Sequence, residues 1–278
     1  MTLLRSMARA AAALTFVAVF SDVAARADNA PPLAPHRASY DLTLLKGEGT
    51  KAPVQARGRI AFDFTGSACD GYIQNFRQIT ELTPEEGTPQ ASDMTSATFE
   101  SGDGSDYRFK VTTKTNGVET EETDGVAKKG KSPNLQIELN RPKRGKHEIA
   151  GAVLFPTEHM RRIIAAAREG QKLLSARVYD GSGDGAKVFD SLTVIGAPAA
   201  APATEKPFQV DAFKNVRRWP VSISYFEADQ KDQPPSYVLI LDLYENGVTR
   251  SLKLDYGDFV LGATASSLTL LPPAKCDK

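Results

Sequence analysis

The chain has 278 residues, and its 34 basic and 34 acidic side chains give a formal net charge of zero at pH 7. This balance gives no electrostatic reason to expect nucleic acid as a partner. The length allows one large all-β domain or two smaller domains.

Residues 1–27 have the layout of a secretory signal peptide. Arg5 and Arg9 form a positively charged start, and an apolar run follows at residues 10–20. This run is too short to span a bilayer. The sequence "ARA" that ends the segment fits cleavage after Ala27, so export with removal of the leader is predicted. The alternative is an uncleaved anchor.

Alternation of apolar and polar residues dominates the chain after this leader. In "RIAFDF", residues 59–64, the side chains of Ile60, Phe62 and Phe64 lie on one face of an extended chain. The same alternation recurs at residues 107–113, 135–139 and 250–256. A period of two is typical of half-buried antiparallel strands that have one face in water. The sequence therefore predicts an all-β fold.

Two Asn-Gly pairs separate strands of this kind. Asn116-Gly117 and Asn246-Gly247 each predict a type I′ hairpin turn, because both residues of that turn need a positive φ. The strand at residues 237–244 ("YVLILDLY") is apolar on both sides. We expect it to be a central strand that is covered on both faces.

One segment has helical periodicity, at residues 155–171 ("FPTEHMRRIIAAAREGQ"). Thr157 is the predicted N-cap, and Gly170 is the residue expected to end the helix. An apolar stripe is formed by Met160, Ile163, Ile164 and Ala167. A helix of this length is too short to be stable alone, so it is predicted to pack on the sheet as a plug or lid.

Two segments are rich in proline and alanine. Residues 28–35 ("DNAPPLAP") are predicted to be a disordered lead-in. Residues 196–207 ("GAPAAAPATEKP") are compatible with a domain linker or a long surface loop. We favour the loop, because the strands on both sides look alike. The expected organisation is therefore a single domain at residues 36–278.

The stretch "VYDGSGDGAKVFD" (residues 178–190) begins like a calcium-binding loop, with Asp180, Ser182 and Asp184 at alternate positions. Position 12 of such a loop would be Ser191, where calcium requires a bidentate Glu. No helix flanks the stretch, and glycine is frequent in it. The sequence therefore favours a flexible hairpin loop, and no metal or other cofactor is expected.

The sequence offers no residues with the spacing of a catalytic or metal centre. His36, His147 and His159 are far apart in the sequence and are predicted to be single surface or capping histidines. No nucleophile elbow, zinc-protease or phosphate-loop motif occurs, so the chain is not expected to be an enzyme. Trp219 follows two arginines and could anchor an interface. We favour the alternative of a core or rim position for it.

The only two cysteines are Cys69 and Cys276. An exported chain with two cysteines most simply forms one disulfide bond, and two free thiols are the alternative. Such a bond would tie the last residues of the chain to the first third of the fold. The absence of a C-x-x-C motif favours a structural bond over a redox-active one.

Several segments taken in order resemble the EipB-type cell envelope integrity proteins, a periplasmic family of Gram-negative bacteria. They are the exported start, "HRASYDLTL", "ACDGYIQNFRQITEL", "VYDGSGDGAKVFDSLTVIG", "YVLILDLYENGVTRSLKLDYGDFVL" and the cysteine near the C-terminus. The resemblance implies a periplasmic β-spiral, a long curved antiparallel sheet with helical cover similar to that of the periplasmic lipoprotein carriers. It also implies a disulfide between Cys69 and Cys276, a role in envelope integrity and no established catalytic activity.

A curved sheet with a helix nearby offers an apolar groove for binding another envelope component. The expected partner is a periplasmic or envelope protein, of which a helical-repeat protein is one candidate type, or a lipid or acyl chain. The alternatives are a lipid or lipoprotein carrier and, with little support, an envelope hydrolase. The candidate binding or lid residues are Met160, Ile163, Ile164 and Trp219.

Overall fold

The structure is a computed structural model that describes residues 32–49, 52–130, 134–199, 203–228, 233–274 and 276. The predicted signal peptide, residues 1–27, lies outside the described residues. The same is true of residues 28–31 in the predicted lead-in and residues 200–202 in the Pro/Ala loop.

The described chain forms fourteen strands, one α-helix and two short 3₁₀ helices. The first eight strands are β1 His36–Gly47, β2 Gln55–Ser67, β3 Gly71–Thr83, β4 Gln90–Glu100, β5 Asp106–Thr115, β6 Val118–Lys129, β7 Leu135–Arg141 and β8 Gly145–Ile149. The helix α1 is Pro156–Arg168, and the strands after it are β9 Leu173–Val178, β10 Phe189–Ile195, β11 Arg218–Glu227, β12 Tyr237–Tyr244, β13 Thr249–Asp255 and β14 Phe259–Leu270. The 3₁₀ helices, Lys206–Phe208 and Asp211–Phe213, lie between β10 and β11.

All fourteen strands belong to one antiparallel sheet with the order β8-β7-β6-β5-β4-β3-β2-β1-β14-β13-β12-β11-β10-β9. Paired strands are consecutive in the sequence, except where β1 pairs with β14, while the consecutive strands β8 and β9 lie at the two ends of the order. In that pair His36 lies opposite Leu270 and Leu44 lies opposite Leu261. The sheet thus has two arms that meet at the first and last strands, and the helix connects their outer edges.

The sheet is strongly curved, as the sequence predicted. The loop between β9 and β10, at one end of the strand order, packs on β5, β6 and β7 near the other end. The hydroxyl of Thr123 on β6 donates a hydrogen bond of 2.8 Å to the carbonyl of Gly183 in this loop. The hydroxyl of Tyr107 on β5 donates one of 3.1 Å to the carbonyl of Asp180. Only a sheet that curls round brings these distant strands together.

Three apolar clusters of buried residues form the core of the described chain. One lies under the helix and includes Ile163, Ile164 and Trp219. A second, around Tyr40 and Tyr244, includes the phenylalanines of the two 3₁₀ helices. The third consists mainly of rings and aliphatic side chains from β5, β7 and the segment before the helix. Burial of the inward-facing residues of β2, β5 and β7 confirms the alternation that predicted these strands.

The predicted disulfide bond joins Cys69 and Cys276, whose Cα atoms are 5.7 Å apart. Cys69 lies in the turn between β2 and β3, and Cys276 lies six positions beyond the end of β14 at Leu270. The bond therefore fastens the segment after the last strand to the β2–β3 turn, on the arm that holds the first strands.

Two details of the strands differ from expectation. Asn116 and Gly117 both have positive φ, 51° and 81°, which confirms the type I′ turn between β5 and β6. At Asn246-Gly247 the type I′ prediction is wrong, because only the glycine has a positive φ, 84°. There the Tyr244 amide donates a hydrogen bond of 2.9 Å to the Val248 carbonyl. This bond closes a three-residue loop instead.

The prediction that β12 is covered on both faces holds at only one end of the strand. Its inner side chains Leu241 and Leu243 are buried under the helix, but Ile240 on the other face is 38% exposed. Tyr244, on the same face as Ile240, is buried against the phenylalanines of the two 3₁₀ helices. The outer face is therefore covered at the end of the strand and exposed at Ile240.

The described part of the lead-in is fixed to the sheet rather than disordered. Leu33 is buried, and the amide of Ala34 donates a hydrogen bond of 2.8 Å to the carbonyl of Asn246. The disordered segment predicted up to Pro35 is therefore too long. The strands on either side of the Pro/Ala loop lie in the same sheet. Within the described residues, none of the helices has the length and apolar character needed to cross a membrane.

Candidate ligand cavity under the helix

A cavity of about 290 Å³ lies between the first turn of the helix and the inner face of the sheet. Its wall is mostly apolar and comes from both arms of the sheet. Phe62 and Phe64 line it from β2, and Ile223 and Leu241 line it from β11 and β12. Its volume is close to the lower end of the range found for small-molecule sites. The curvature of the sheet creates this space, since it makes the two arms face each other.

Glu100, at the end of β4, holds the helix over the cavity. Its carboxylate oxygens accept hydrogen bonds from the amides of Thr157 at 2.7 Å and Glu158 at 2.8 Å. These are first-turn amides, which have no partner inside a helix and carry its positive dipole end. The predicted N-cap at Thr157 is wrong. The helix begins at Pro156 with Phe155 as N-cap, and a side chain from a distant strand replaces the local cap.

Glu100 is only 3% exposed. Burial raises its pKa from 4.5 to about 7, although the hydrogen bonds from the two amides oppose this rise. The nearby negative charge of Glu158 acts in the same direction as burial. Glu158 itself is paired with Lys129 and Arg162. The proton on Glu100 is therefore exchanged near neutral pH, at the point where the helix is attached.

The structure contradicts the prediction that His36 and His159 are surface or capping histidines. Both line the cavity, and each is 3% exposed. His36 leans against the rings of Phe62 and Phe64, with centroid distances of 5.4 and 5.9 Å. Burial lowers the pKa of His36 and lowers that of His159 to about 4, so both rings are neutral at pH 7. His147, on edge strand β8, is exposed as predicted.

The Asp-Gly-Ser stretch forms the hairpin loop between β9 and β10, as predicted. Asp180 accepts a hydrogen bond from the Ser182 amide, and Asp184 accepts one from the Ala186 amide. Both carboxylates thus stabilise the turn in which they lie. No group of three or more metal-binding side chains occurs within the described residues. Asp180 lies at the start of the loop and also reaches the wall of the cavity.

The loop is not free to flex as expected, because its glycines lie against the opposite arm of the sheet. A Cβ on Gly181 would lie 2.4 Å from the ring of Phe109, and one on Gly185 would lie 2.7 Å from Leu139. Both glycines have positive φ. They are needed for close contact between the two arms as well as for the turn.

The four candidate binding or lid residues lie in different surroundings. Met160 lines the cavity. Ile163, Ile164 and Trp219 are 0–1% exposed and pack together below the helix, beside the cavity. The core position favoured for Trp219 agrees with this burial. A lid role for the helix stays a prediction.

The polar residues that matter most at the cavity were missed by the sequence reasoning. Glu100 ends a strand as one of many acidic residues, and no local pattern distinguishes a strand-end glutamate that caps a remote helix. For His36 a signal was present, since it begins the alternation of β1 and shares its inward parity with Tyr40 and Leu42. Applying that parity to His36 would have placed it inside.

Taken together, these features define a class of single-sheet β-protein in which a strongly curved sheet, tied by one disulfide, holds an apolar cavity under one helix. The model of the EipB-like family matches residues 27–272, and the chain belongs to this family. The family suggested by the sequence is thus confirmed.

Two relatives support this membership. The cell envelope integrity protein EipB of Brucella abortus (strain 2308) is 35% identical over 276 residues, which cover 99% of this chain and 98% of the relative. A crystal structure of a β-barrel-like protein with a domain of unknown function, also from Brucella abortus, has a TM-score of 0.80 and 35% identity. The match covers 86% of this chain and 99% of that one.

Proposed function

We propose that this protein is a non-catalytic periplasmic protein that supports cell envelope integrity by holding the apolar part of another envelope component in its cavity. The observation that carries the proposal is the apolar cavity of about 290 Å³ between helix and sheet. The name of the Brucella relative supports the envelope role. The predicted signal peptide, residues 1–27, supports the location.

An acyl chain suits this cavity better than a peptide does. The wall is built mainly from side chains on the inner face of a continuous sheet, whose backbone groups are already paired between strands. A buried peptide would bring amides and carbonyls that need hydrogen-bond partners. An acyl chain needs only apolar contact, which the rings of Phe62, Phe64 and Phe76 provide.

Native mass spectrometry of the mature protein, exported to a periplasm and purified without reductant, tests the proposal directly. We expect a labile adduct of several hundred daltons, or binding of an added long-chain alcohol when the protein emerges without one. Protein that carries no adduct and binds no alkyl compound would refute the acyl-chain role.

A substitution in the cavity wall gives a matched test. Met160→Gln puts a polar amide into the wall at nearly constant size, and we expect it to weaken alkyl binding by about tenfold or more. Met94→Gln on β4 is the control, because Met94 is partly buried and does not line the cavity. Equal affinities for the two variants would place the ligand elsewhere.

A second observation favours a protein partner on the outer face of the sheet. Leu173, Val194 and Ile240 lie in one row across β9, β10 and β12, with only Ser222 of β11 between them. They are 62%, 48% and 38% exposed, and Leu192 lies beside them at 38%. Contiguous exposed apolar side chains on a sheet are typical of interaction surfaces. A helical-repeat protein is one candidate type of partner.

The outer-face hypothesis predicts that Val194→Lys impairs envelope function without lowering the melting temperature. The control is Thr264→Lys, which adds the same charge at an exposed outer position of β14. Both genes would be expressed in cells that lack the wild-type gene, and survival in detergent would be scored. Full rescue by the Val194 variant would remove the support for a partner at this face.

A further inference from the structure

The described residues of the cavity wall carry one negative charge and no positive charge at pH 7. Asp180 is the one charged residue among the described residues that line the cavity, and no lysine or arginine is among them. The remaining ionisable groups there are the two histidines and the hydroxyls of Tyr40 and Tyr225. Tyr40 already donates its hydroxyl hydrogen to the Thr249 carbonyl at 2.6 Å. A buried negative charge on a ligand would find no counter-charge in this wall.

The hydrogen bond made by His36 fixes the position of its proton. Its Nδ1 lies 2.7 Å from the carbonyl oxygen of Ala34, which can only accept. Nδ1 therefore carries the hydrogen, and in the neutral ring Nε2 has a free lone pair. Nε2 makes no hydrogen bond to any of the described residues, although the side chain is 97% removed from solvent and lines the cavity. This nitrogen is therefore available to accept a hydrogen bond from a donor that enters the cavity.

His159 presents a second acceptor by the same reasoning. Its Nε2 lies 3.4 Å from the hydroxyl oxygen of Ser191. That hydroxyl already donates its own hydrogen to the carbonyl of Ala176 at 2.9 Å. The arrangement favours the tautomer that carries its hydrogen on Nε2, in which the Nδ1 of His159 has a free lone pair.

We propose that the cavity selects an apolar chain whose buried end donates a hydrogen bond, such as a hydroxyl or an amide N–H, and discriminates against a carboxylate or phosphate end. The donor meets the free nitrogen of His36 or His159. An anionic end shares the wall with the Asp180 carboxylate and gains no cation, so no opposite charge offsets its desolvation. This selectivity rests on the proposed function, because it names the chemistry of the ligand in the same cavity.

Three compounds with the same ten-carbon chain test the inference on the mature protein: 1-decanol, methyl decanoate and decanoate. Their affinities can be measured by displacement of the fluorescent probe N-phenyl-1-naphthylamine. Decanol is a donor, the methyl ester is an acceptor only, and decanoate is an anion. We expect decanol to bind about tenfold tighter than the ester, the value of one buried hydrogen bond, and decanoate to bind weakest.

Two variants locate the effect. His36→Leu removes the free acceptor and should bring the decanol and ester affinities close together, while the same change at exposed His147 should leave their ratio unaltered. Asp180→Asn keeps an oxygen for the Ser182 amide but removes the negative charge. It should strengthen decanoate binding, a gain that does not depend on whether the His36 variant folds.

The outcomes separate the selectivity from the binding role. Equal affinities of the wild-type protein for all three compounds would overturn the selectivity and leave the acyl-chain role standing. Tighter binding of decanoate than of decanol would overturn it as well. If the wild-type protein binds none of the three, the binding role fails and the selectivity falls with it.

Discussion

Replacing Glu100 with glutamine changes the ionisable group that attaches the helix to the sheet. Its buried carboxylate accepts hydrogen bonds of 2.7 and 2.8 Å from the amides of Thr157 and Glu158. A glutamine side chain has one carbonyl oxygen and one NH₂ group in place of the two carboxylate oxygens. Only one of the two amides therefore still faces an acceptor. It also has no proton to exchange between pH 4 and pH 9.

The pKa of Glu100 sets the size of the expected effect. Burial raises this pKa from 4.5 to about 7, so the folded protein holds the proton more tightly than the unfolded chain does. The stabilising contribution is complete below pH 4.5 and is lost as the pH rises to about 7. A shift of this size corresponds to roughly 3 kcal/mol in the free energy of unfolding.

Urea unfolding of the wild-type protein and of Glu100→Gln, at intervals from pH 4.5 to pH 8, measures this contribution. The difference between their unfolding free energies should move by about 3 kcal/mol in favour of the variant as the pH rises. Other titrating groups, including His159, are present in both proteins and cancel. If the unfolding free energies of the two proteins change with pH in parallel, Glu100 has an ordinary pKa and the reasoning is refuted.

Three other changes act on different parts of the fold. Cys276→Ser opens a bond between residues 207 positions apart, and the chain-entropy estimate gives a loss of up to about 5 kcal/mol; an unchanged melting temperature would contradict this. Gly181→Ala, with its Cβ 2.4 Å from Phe109, should cost about 1–3 kcal/mol more than Gly183→Ala, which meets nothing closer than 3.7 Å. The pKa of His159 is lowered to about 4, so its contribution is complete above pH 6.5 and is lost as the pH falls to about 4. His159→Gln should therefore flatten the acid side of the stability curve, and His147→Gln should not.

Much of the fold could be predicted from the sequence, because strands and tight turns leave local signals. The alternation in residues 59–64 follows from side chains that point to opposite faces of a strand, and it holds in β2. Gly170, with a φ of 76°, ends the helix as expected, since a left-handed residue after a helix favours glycine. The pairing of Cys69 with Cys276 needed only a count of cysteines and the prediction of export.

Contacts between the arms left no such signal. Glu100 and Thr157 are 57 positions apart, and the helix start depends on their meeting. The same holds for the loop glycines that touch Phe109 and Leu139. Ile240 shows the converse error, since an apolar residue on each side of a strand does not specify what covers it.

The sequence by itself determined the strands, most of their turns, the helix and the disulfide, because neighbouring residues and their periodicity encode these features. Only the tertiary structure decided that the sheet curls until its arms meet, and this curvature creates the cavity. It also decided that His36 and His159 lie in the cavity wall as neutral acceptors, since burial rather than residue type sets their protonation.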